Sequence, residues 1–513
     1  MIGFLFVLCI ALSKAAFEIN VNKDDLNDLP FQHAYPRHLR ARKVSVPIVI
    51  DGKLEDSAWE NAMWDSEFVD ITDHQNNSLN YVPDDFQSAV ALLWDNDYLY
   101  VGVRMKEPFI YGNITGHNIQ APYHDNDFEV FVDVSGTTEY YKEFEMNVLN
   151  ATYDVNWGVP DNAGLSCDDT MDREKPYLPV CVNTTFSGYS GNWTMKVTGE
   201  GTDDRDKGLK TATSFSESNF GNYIDDGEWT MEIAFPIERS AHHGGLLDTY
   251  GDDRSYDRYH PKYADENIPL YWWIDFARAE HPRKYTRMDQ TNNKSILNEK
   301  FCPLDCSKDL NLYEASLENP NGEECKHLQE RFPTLLGTNP VYGCYFEWVY
   351  QALGRNNYMH RPAEWAMVEF SNDDESCRNI EFVGRHAVKL IFLAEVEYKK
   401  QIGTYTSELE VLSDVRYCLD AQDCADIRTI MERQDLFSDV QINVIENVEI
   451  LNQYCTSRPC FHAKVEVSVP VSSSDNEKVH VYSATINENM NIKVHYTESP
   501  FDSTNTSRDK ICY

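Results

Sequence analysis

The alternation of apolar and polar positions is clearest between Val90 and Asp133. Val90–Met105 reads as two period-2 strands joined at Asp95-Asn96-Asp97, a hairpin signal. Asp127–Asp133 puts Phe128, Val130 and Val132 on one face and Asp127, Glu129, Phe131 and Asp133 on the other. A strand of that kind predicts a sheet that rests on a core and presents acids and a ring on its second face. Further strands are expected at Ile48–Ile50, Phe144–Leu149, Trp193–Val197, Trp229–Phe235, Trp272–Ala277 and Trp365–Phe370, with loops rich in Gly, Asp and Asn between them.

Many short strands with turn signals predict a mostly β unit, an antiparallel β-sandwich, over residues 41–371. Two stretches read as insertions, about 161–190 and about 291–343; the second holds Cys302, Cys306 and Cys325. Residues 17–40 are polar and expected to be extended. Past Ser371 the period changes. Val383, Ala387, Leu390, Ile391, Ala394 and Tyr398 recur at three-to-four spacing, which predicts an amphipathic helix over Ile380–Gln401, stopped by Gly403. Strand-like runs follow at Val440–Val444, His462–Val467, Val479–Ala484 and Ile492–His495, so a small α+β domain is expected over 378–513.

The chain has 513 residues with 42% hydrophobic and 12% aromatic content, enough for sizeable cores. Its formal net charge of −39 repels nucleic acid and anionic membrane, so neither is an expected partner. That sign suits neutral or cationic ligands, calcium included, and it also simply keeps an exported protein in solution.

The apolar run Ile2–Leu12, followed by Ser13-Lys14-Ala15, is expected to be a signal peptide over residues 1–16. No later run is long enough to span a bilayer, and the polar end SRDKICY carries no lipid-anchor signal. A secreted, soluble protein is expected. Of 13 cysteines, Cys9 leaves with the leader, and the remaining even number is expected to form disulfides. Close pairs include Cys302/Cys306, Cys418/Cys424 and Cys455/Cys460. Their spacing is wider than zinc sites use. Glycosylation sequons stand at Asn76, Asn113, Asn150, Asn183, Asn192, Asn293 and Asn505.

Seven motifs occur in order: VIDGKLEDSAWENA, LLWDNDYLYVGVRMKEP, DNDFEVFVD, YYKEFEMNVLNATYDV, GEWTMEIAFPIE, WWIDFARAEHP and NYMHRPAEWAMVEFS. Together they resemble the family 9 carbohydrate-binding module in the long form found in exported proteins. The resemblance covers roughly residues 41–371 and implies a β-sandwich. In xylanase-attached members this module grips the end of a sugar chain between two aromatic rings. Where those members place a Trp six positions before a strand Glu, this chain has Tyr123 before Glu129. A tyrosine can still stack on a sugar face, and a carboxylate can accept from two vicinal hydroxyls. The Arg of the next strand is matched by Glu145. An Asn three positions before the second ring is matched by Asn356, with Met359 at the ring position and Tyr358 beside it. The resemblance also implies a structural calcium near Asp133; Asp125 and Asp127 are further candidates for it, and no other cofactor is required. The stretch from Ala387 to Leu412 resembles the tail that follows this module in some bacterial exported proteins.

Three functions are compatible with these residues. The first is a secreted, non-catalytic protein that binds a polysaccharide or glycan end. The second is a glycoside hydrolase, or a hydrolase-associated module in carbohydrate catabolism, using Glu129 and Glu145 as its carboxylate pair. The third is an extracellular structural protein with a degenerate sugar site. His242-His243 has no third ligand at helical spacing, and no phosphate-cradling loop, HExxH or nucleophile elbow occurs. Trp59, Trp94, Trp229, Trp272 and Trp365 sit inside strand- or helix-like motifs and read mostly as core.

Overall fold

The computed structural model of the chain describes residues 29–70, 82, 84–108, 110–117, 122–138, 141–156, 208–221, 224, 226–238, 245–247, 259–264, 270–280, 286–289, 294–297, 346–349, 362–370, 378–445, 460–471, 478–488 and 490–496. The expected signal peptide, the strand at Trp193–Val197 and the insertion at 161–190 lie outside them. So does nearly all of the insertion at 291–343, where only β12 (Lys294–Leu297) is described.

In chain order the other strands up to residue 370 are β1 (His38–Lys43), β2 (Val69–Asp70), β3 (Ser88–Trp94), β4 (Tyr98–Lys106), β5 (Asp127–Asp133), β6 (Lys142–Asn147), β7 (Thr152–Asn156), β8 (Lys210–Phe215), β9 (Glu228–Pro236), β10 (Leu270–Glu280), β11 (Thr286–Asp289), β13 (Phe346–Val349) and β14 (Ala366–Phe370). The hairpin predicted at Asp95-Asn96-Asp97 is present, with Trp94 opposite Leu99. The Asp95 side chain accepts from the backbone N–H of Asp97 and Tyr98, which fixes the turn.

β11 pairs with β12 in a separate two-stranded sheet, and the other strands form a large curled sheet in the order β7-β6-β5-β10-β14-β1-β3-β4-β9-β8, with β13 attached to β10 and β2 to β13. The expected wholly antiparallel sandwich is corrected here, because the sheet is mixed: β1 pairs parallel with both β14 and β3. Its sequence, HLRARK, gives no strand-like apolar run. Leu39 and Ala41 face the interior, while His38 and Arg40 reach Glu369 of β14 on the other face, at 2.9 and 3.9 Å. A charged strand can therefore lie centrally, because its acid partner is buried beside it.

The curl encloses the main core. Phe128, Val130, Phe144 and Met146 from one half meet Val101, Met231, Ile233 and Phe235 from the other. Phe144 and Phe235 touch edge to face at 5.2 Å. At the rim, Thr213 of β8 donates to the carbonyl of Val148 beyond β6, drawing the two edges together. Trp94, Trp229 and Trp272 are at most 1% exposed in this core, as their motifs predicted, and each buried aromatic of that size contributes about 2–3 kcal/mol.

Residues 44–64 cover one outer face. Ile48–Ile50 is not a strand; Ile48 instead packs under this cover with Trp59, from the short helix α1 (Ser57–Glu60). Trp59 lies on Gly102 of β4, where a Cβ would come within 2.8 Å of the indole. The Trp59 indole N–H and the backbone N–H groups of Asp51 and Gly52 all donate to buried Glu232.

The other outer face carries Phe131, Trp273, Trp365 and Met367 and is covered by α2 (Glu381–Ile402), close to the predicted helix and capped by Gly403 at φ 94°. The predicted amphipathic face is present, yet every residue from Phe382 to Val396 is buried. The reason is a second cover. The strands β15 (Phe437–Ile445), β16 (Cys460–Val471), β17 (Lys478–Asn487) and β18 (Ile492–Tyr496) form an antiparallel sheet in sequence order on the far side of α2. Gly384 lets that sheet approach, its N–H donating to the Tyr482 hydroxyl at 3.0 Å. One apolar cluster thus runs from the curled sheet through α2 into β16 and β17.

Two further helices, α3 (Leu409–Leu412) and α4 (Ala421–Glu432), had no clear sequence signal. Only Cys424, Ile427 and Ile430 supply a short apolar stripe in α4, and its N-terminus is held by Asp420. Cys418 and Cys424 are disulfide-bonded, as the cysteine count predicted, and Cys460 is also in a disulfide. Among the described residues no helix is long and apolar enough to cross a membrane.

Candidate functional site

The acid-bearing face of β5 is the chemically distinctive surface. Period-2 alternation sends Phe128, Val130 and Val132 into the curl and leaves Asp127, Glu129 and Phe131 on the outer face. The register then sets their partners. Glu129 lies directly opposite Glu145 of β6, Asp127 opposite Asn147 and Phe131 opposite Glu143. Side chains opposed in this way have Cβ atoms about 5 Å apart, and like charges there repel. One oxygen each from Asp127, Glu129 and Glu145 falls within 4.8 Å of the other two, and all three residues are buried.

Glu145 records the cost of that arrangement. Burial pushes its carboxyl well above the usual carboxylate range, and the charges of Glu143 and Asp127 push it further. The backbone N–H of Tyr123 donates to it and pulls the other way, without prevailing. Tyr123 sits in the 3-10 turn Pro122–His124 and is half-buried beside this ladder.

The run Asp125-Asn126-Asp127 assembles the surroundings. Asp125 Oδ2 accepts from the backbone N–H of Asn113 and Ile114 and from the Asn147 amide, closing the preceding loop onto β6. Asn126 accepts from the N–H of Tyr111 and donates to Glu107. Asp127 Oδ1 accepts from the N–H of Ala279 on β10.

Asp133 plays a different part. Its two oxygens accept from the N–H groups of Ser135, Gly136 and Thr138 and from the Ser135 hydroxyl. Burial raises its carboxyl and those donors lower it, leaving it above its ordinary value. The turn so formed docks the C-terminal sheet, since the Thr138 hydroxyl donates to the Met490 carbonyl. The expected calcium set of Asp125, Asp127 and Asp133 therefore does not gather around one point. Asp127 and Asp133 stand at opposite ends of β5, about 20 Å apart at ordinary strand rise, far beyond the reach of one ion.

The structure thus brings together Tyr123, Glu129 and Glu145 of the residues singled out for ligand binding. Asn356, Tyr358 and Met359 lie outside the described residues. The sequence reading placed Asp127 in a metal set with Asp125 and Asp133, not with the two glutamates. Its alternation with Glu129 was visible, but only the pairing of β5 with β6 makes the three acids one group.

Residues 50–171 match the family model for the carbohydrate family 9 binding domain-like family, a shorter span than the 41–371 implied by the ordered motifs. No curated protein matches the chain. Among solved structures it is similar to a carbohydrate binding module family 9 from Caldicellulosiruptor kristjanssonii in complex with glucose, at 13% identity, over 48% of this chain and 78% of that one, with a TM-score of 0.24. For the complex of such a module from the same organism with cellotriose the values are 12%, 51%, 81% and 0.23. A putative carbohydrate-binding protein from Bacteroides uniformis ATCC 8492 gives 12%, 65%, 99% and 0.30. The family model's match lies over the segment that holds the hairpin, Tyr123 and the acid ladder.

Proposed function

We propose that this is a secreted, non-catalytic protein that binds a carbohydrate, a polysaccharide or glycan end, at the outer face of β5 and β6. The observation that supports this most is the position of Tyr123, Glu129 and Glu145 inside the family-matched segment, with Glu129 and Glu145 opposed on neighbouring strands. The tyrosine ring offers stacking area to a pyranose face. The carboxyl groups offer acceptors to hydroxyls. Calorimetric titration with a saccharide panel that begins with glucose and cello-oligosaccharides tests the reading. Binding that weakens in Tyr123→Ala and Glu129→Gln supports it, whereas a folded protein that binds no saccharide at millimolar concentration overturns it.

One observation favours a second reading, glycoside hydrolysis. A paired acid whose carboxyl its surroundings raise is what a general acid requires, and burial with the neighbouring acids raises Glu145. Release of reducing sugar that is lost in Glu129→Gln and Glu145→Gln would establish it; unchanged release in both variants would exclude it.

A further inference from the structure

We infer that the cleft between the curled sheet and α2 binds a small carboxylate that carries a neighbouring hydroxyl, the carboxylate on Lys389 and the hydroxyl on His386. The cleft reaches Gly136, just past the Asp133 end of β5. The inference does not rest on the carbohydrate reading above.

Lys389 carries it. In the middle of α2 this residue is only 7% exposed, and among the described residues it has no hydrogen-bond or ion-pair partner. A buried ammonium in that state is costly, and an anion at its three donors would recover much of the cost.

The surroundings suit an anion. Lys389 lines the cleft with Arg385, His386, Trp273, Trp365 and Glu364. Arg385 pairs with Glu381, donates to the Gly136 carbonyl and lies over the Trp273 ring at 4.3 Å, so it forms a positive wall rather than a mobile arm. Glu364 is the acid of the lining, and no ion pair joins it to Lys389. Two cations against one acid make the cleft locally positive in a chain whose net charge is −39. Its indole walls keep the local dielectric low, where a charge-assisted hydrogen bond is stronger.

His386 supplies the second group. Burial lowers its pKa to about 4, so the ring is neutral near pH 7. Its Nε2–H then donates to Asp426 at 3.3 Å, and Nδ1 is left a buried acceptor without a partner. His386 and Lys389 are three residues apart on one helix and so are neighbours on its face. A hydroxyl beside a carboxylate satisfies both. Chloride could answer the ammonium but has no hydrogen for Nδ1. The cavity volume is about 30 Å³, against about 10–15 Å³ for one water. It therefore admits a head group of this size and leaves any larger body at the open side.

Calorimetric titration of the full-length protein in chloride-free buffer tests the site with glycolate, acetate, glucuronate and glucose. One glycolate per chain is expected, with a Kd on the order of 1 mM. Acetate, which lacks the hydroxyl, should bind about tenfold more weakly. Lys389→Met should weaken glycolate at least about tenfold. Circular dichroism checks folding; should that variant fail to fold, Lys389→Gln takes its place with the same expected loss. Glucuronate binding as strong as that of glycolate, and lost in the Lys389 variant, assigns the carboxylate to the acidic end of a saccharide. Glycolate binding alone assigns it to a free hydroxy acid, and either result upholds the site. Absence of both at about 20 mM ligand overturns the inference, as does binding that the folded Lys389 variant leaves unchanged. Acetate as strong as glycolate overturns the part given to His386. Glucose is the neutral control: its binding, expected to be unchanged by Lys389→Met, reports the β5–β6 face alone, so either proposal can fail while the other stands.

Discussion

Arg278 of β10 donates through Nη2 to Glu107 Oε2 at 2.8 Å, and neither side chain has any exposed surface. The same guanidinium donates to the carbonyls of Phe86 and Lys106 and to the Ser88 hydroxyl. Glu107 in turn accepts from Asn126, next to the acid ladder. One buried ion pair therefore links both halves of the curled sheet to the strand that carries the candidate site. Removing one partner strands a buried charge, so Arg278→Met is expected to cost about 3–5 kcal/mol in urea denaturation. The double variant Arg278→Met/Glu107→Leu should be more stable than the single one, and equal losses in both would contradict this account.

The cover formed by residues 44–64 depends on close approach at Gly102. A methyl group there would press on the Trp59 indole at 2.8 Å and on Leu54 at 2.9 Å. Gly102→Ala is expected to lower stability by about 1–3 kcal/mol. An unchanged thermal midpoint would show that the cover is not packed as described.

Acid sensitivity is expected from His386. Burial lowers its pKa to about 4 from 6.5, against the pull of its hydrogen bond to Asp426; Lys389 and His33 are the nearby cations. Because the folded value is depressed, the unfolded chain takes up the proton first as pH falls. Stability is therefore full above about pH 6.5 and declines toward pH 4, by about 3 kcal/mol. Denaturation midpoints measured across that window should flatten in His386→Gln.

Glu395 gives the opposite slope. Burial raises its pKa to about 8, while the N–H of Thr406 lowers it. The folded state holds the proton longer, so stability is complete below about pH 4.5 and is lost as pH rises through 8. Glu395→Gln keeps the acceptor for Thr406 and removes the ionisation. It is expected to stabilise the protein by about 2–4 kcal/mol at pH 9 and far less at pH 5, which a pair of chemical denaturation curves would decide.

The two described sequons should differ. Asn113 is exposed in a loop. Asn150 sits at φ 60° with its amide donating to the Thr211 carbonyl, and Thr152 of its sequon is fully buried. In protein secreted from a eukaryotic host, peptide mapping should find glycan on Asn113 and none on Asn150.

Much of the molecule was legible in the sequence. The hairpin at Asn96, the strand faces of β5, the helix ending at Gly403 and the buried tryptophans all follow from local period and turn chemistry. These signals are local because a strand or helix face repeats within a few residues. That the cysteines form disulfides follows from their even number, but the pairing of Cys418 with Cys424 comes from the structure.

Tertiary structure decided the rest, for a common reason: each feature depends on partners far away in the chain. β1 is a strand because Glu369 and two neighbouring backbones accept it, which HLRARK cannot announce. The helix α2 is buried all round because a second sheet covers it. Asp133 became a turn acid once its own loop supplied four donors. Asp127 joined the glutamates only because the β5–β6 register places acid opposite acid. Local alternation determined which face each side chain takes; pairing between distant segments determined what it meets there, and that meeting is what gives the carboxylates their chemistry.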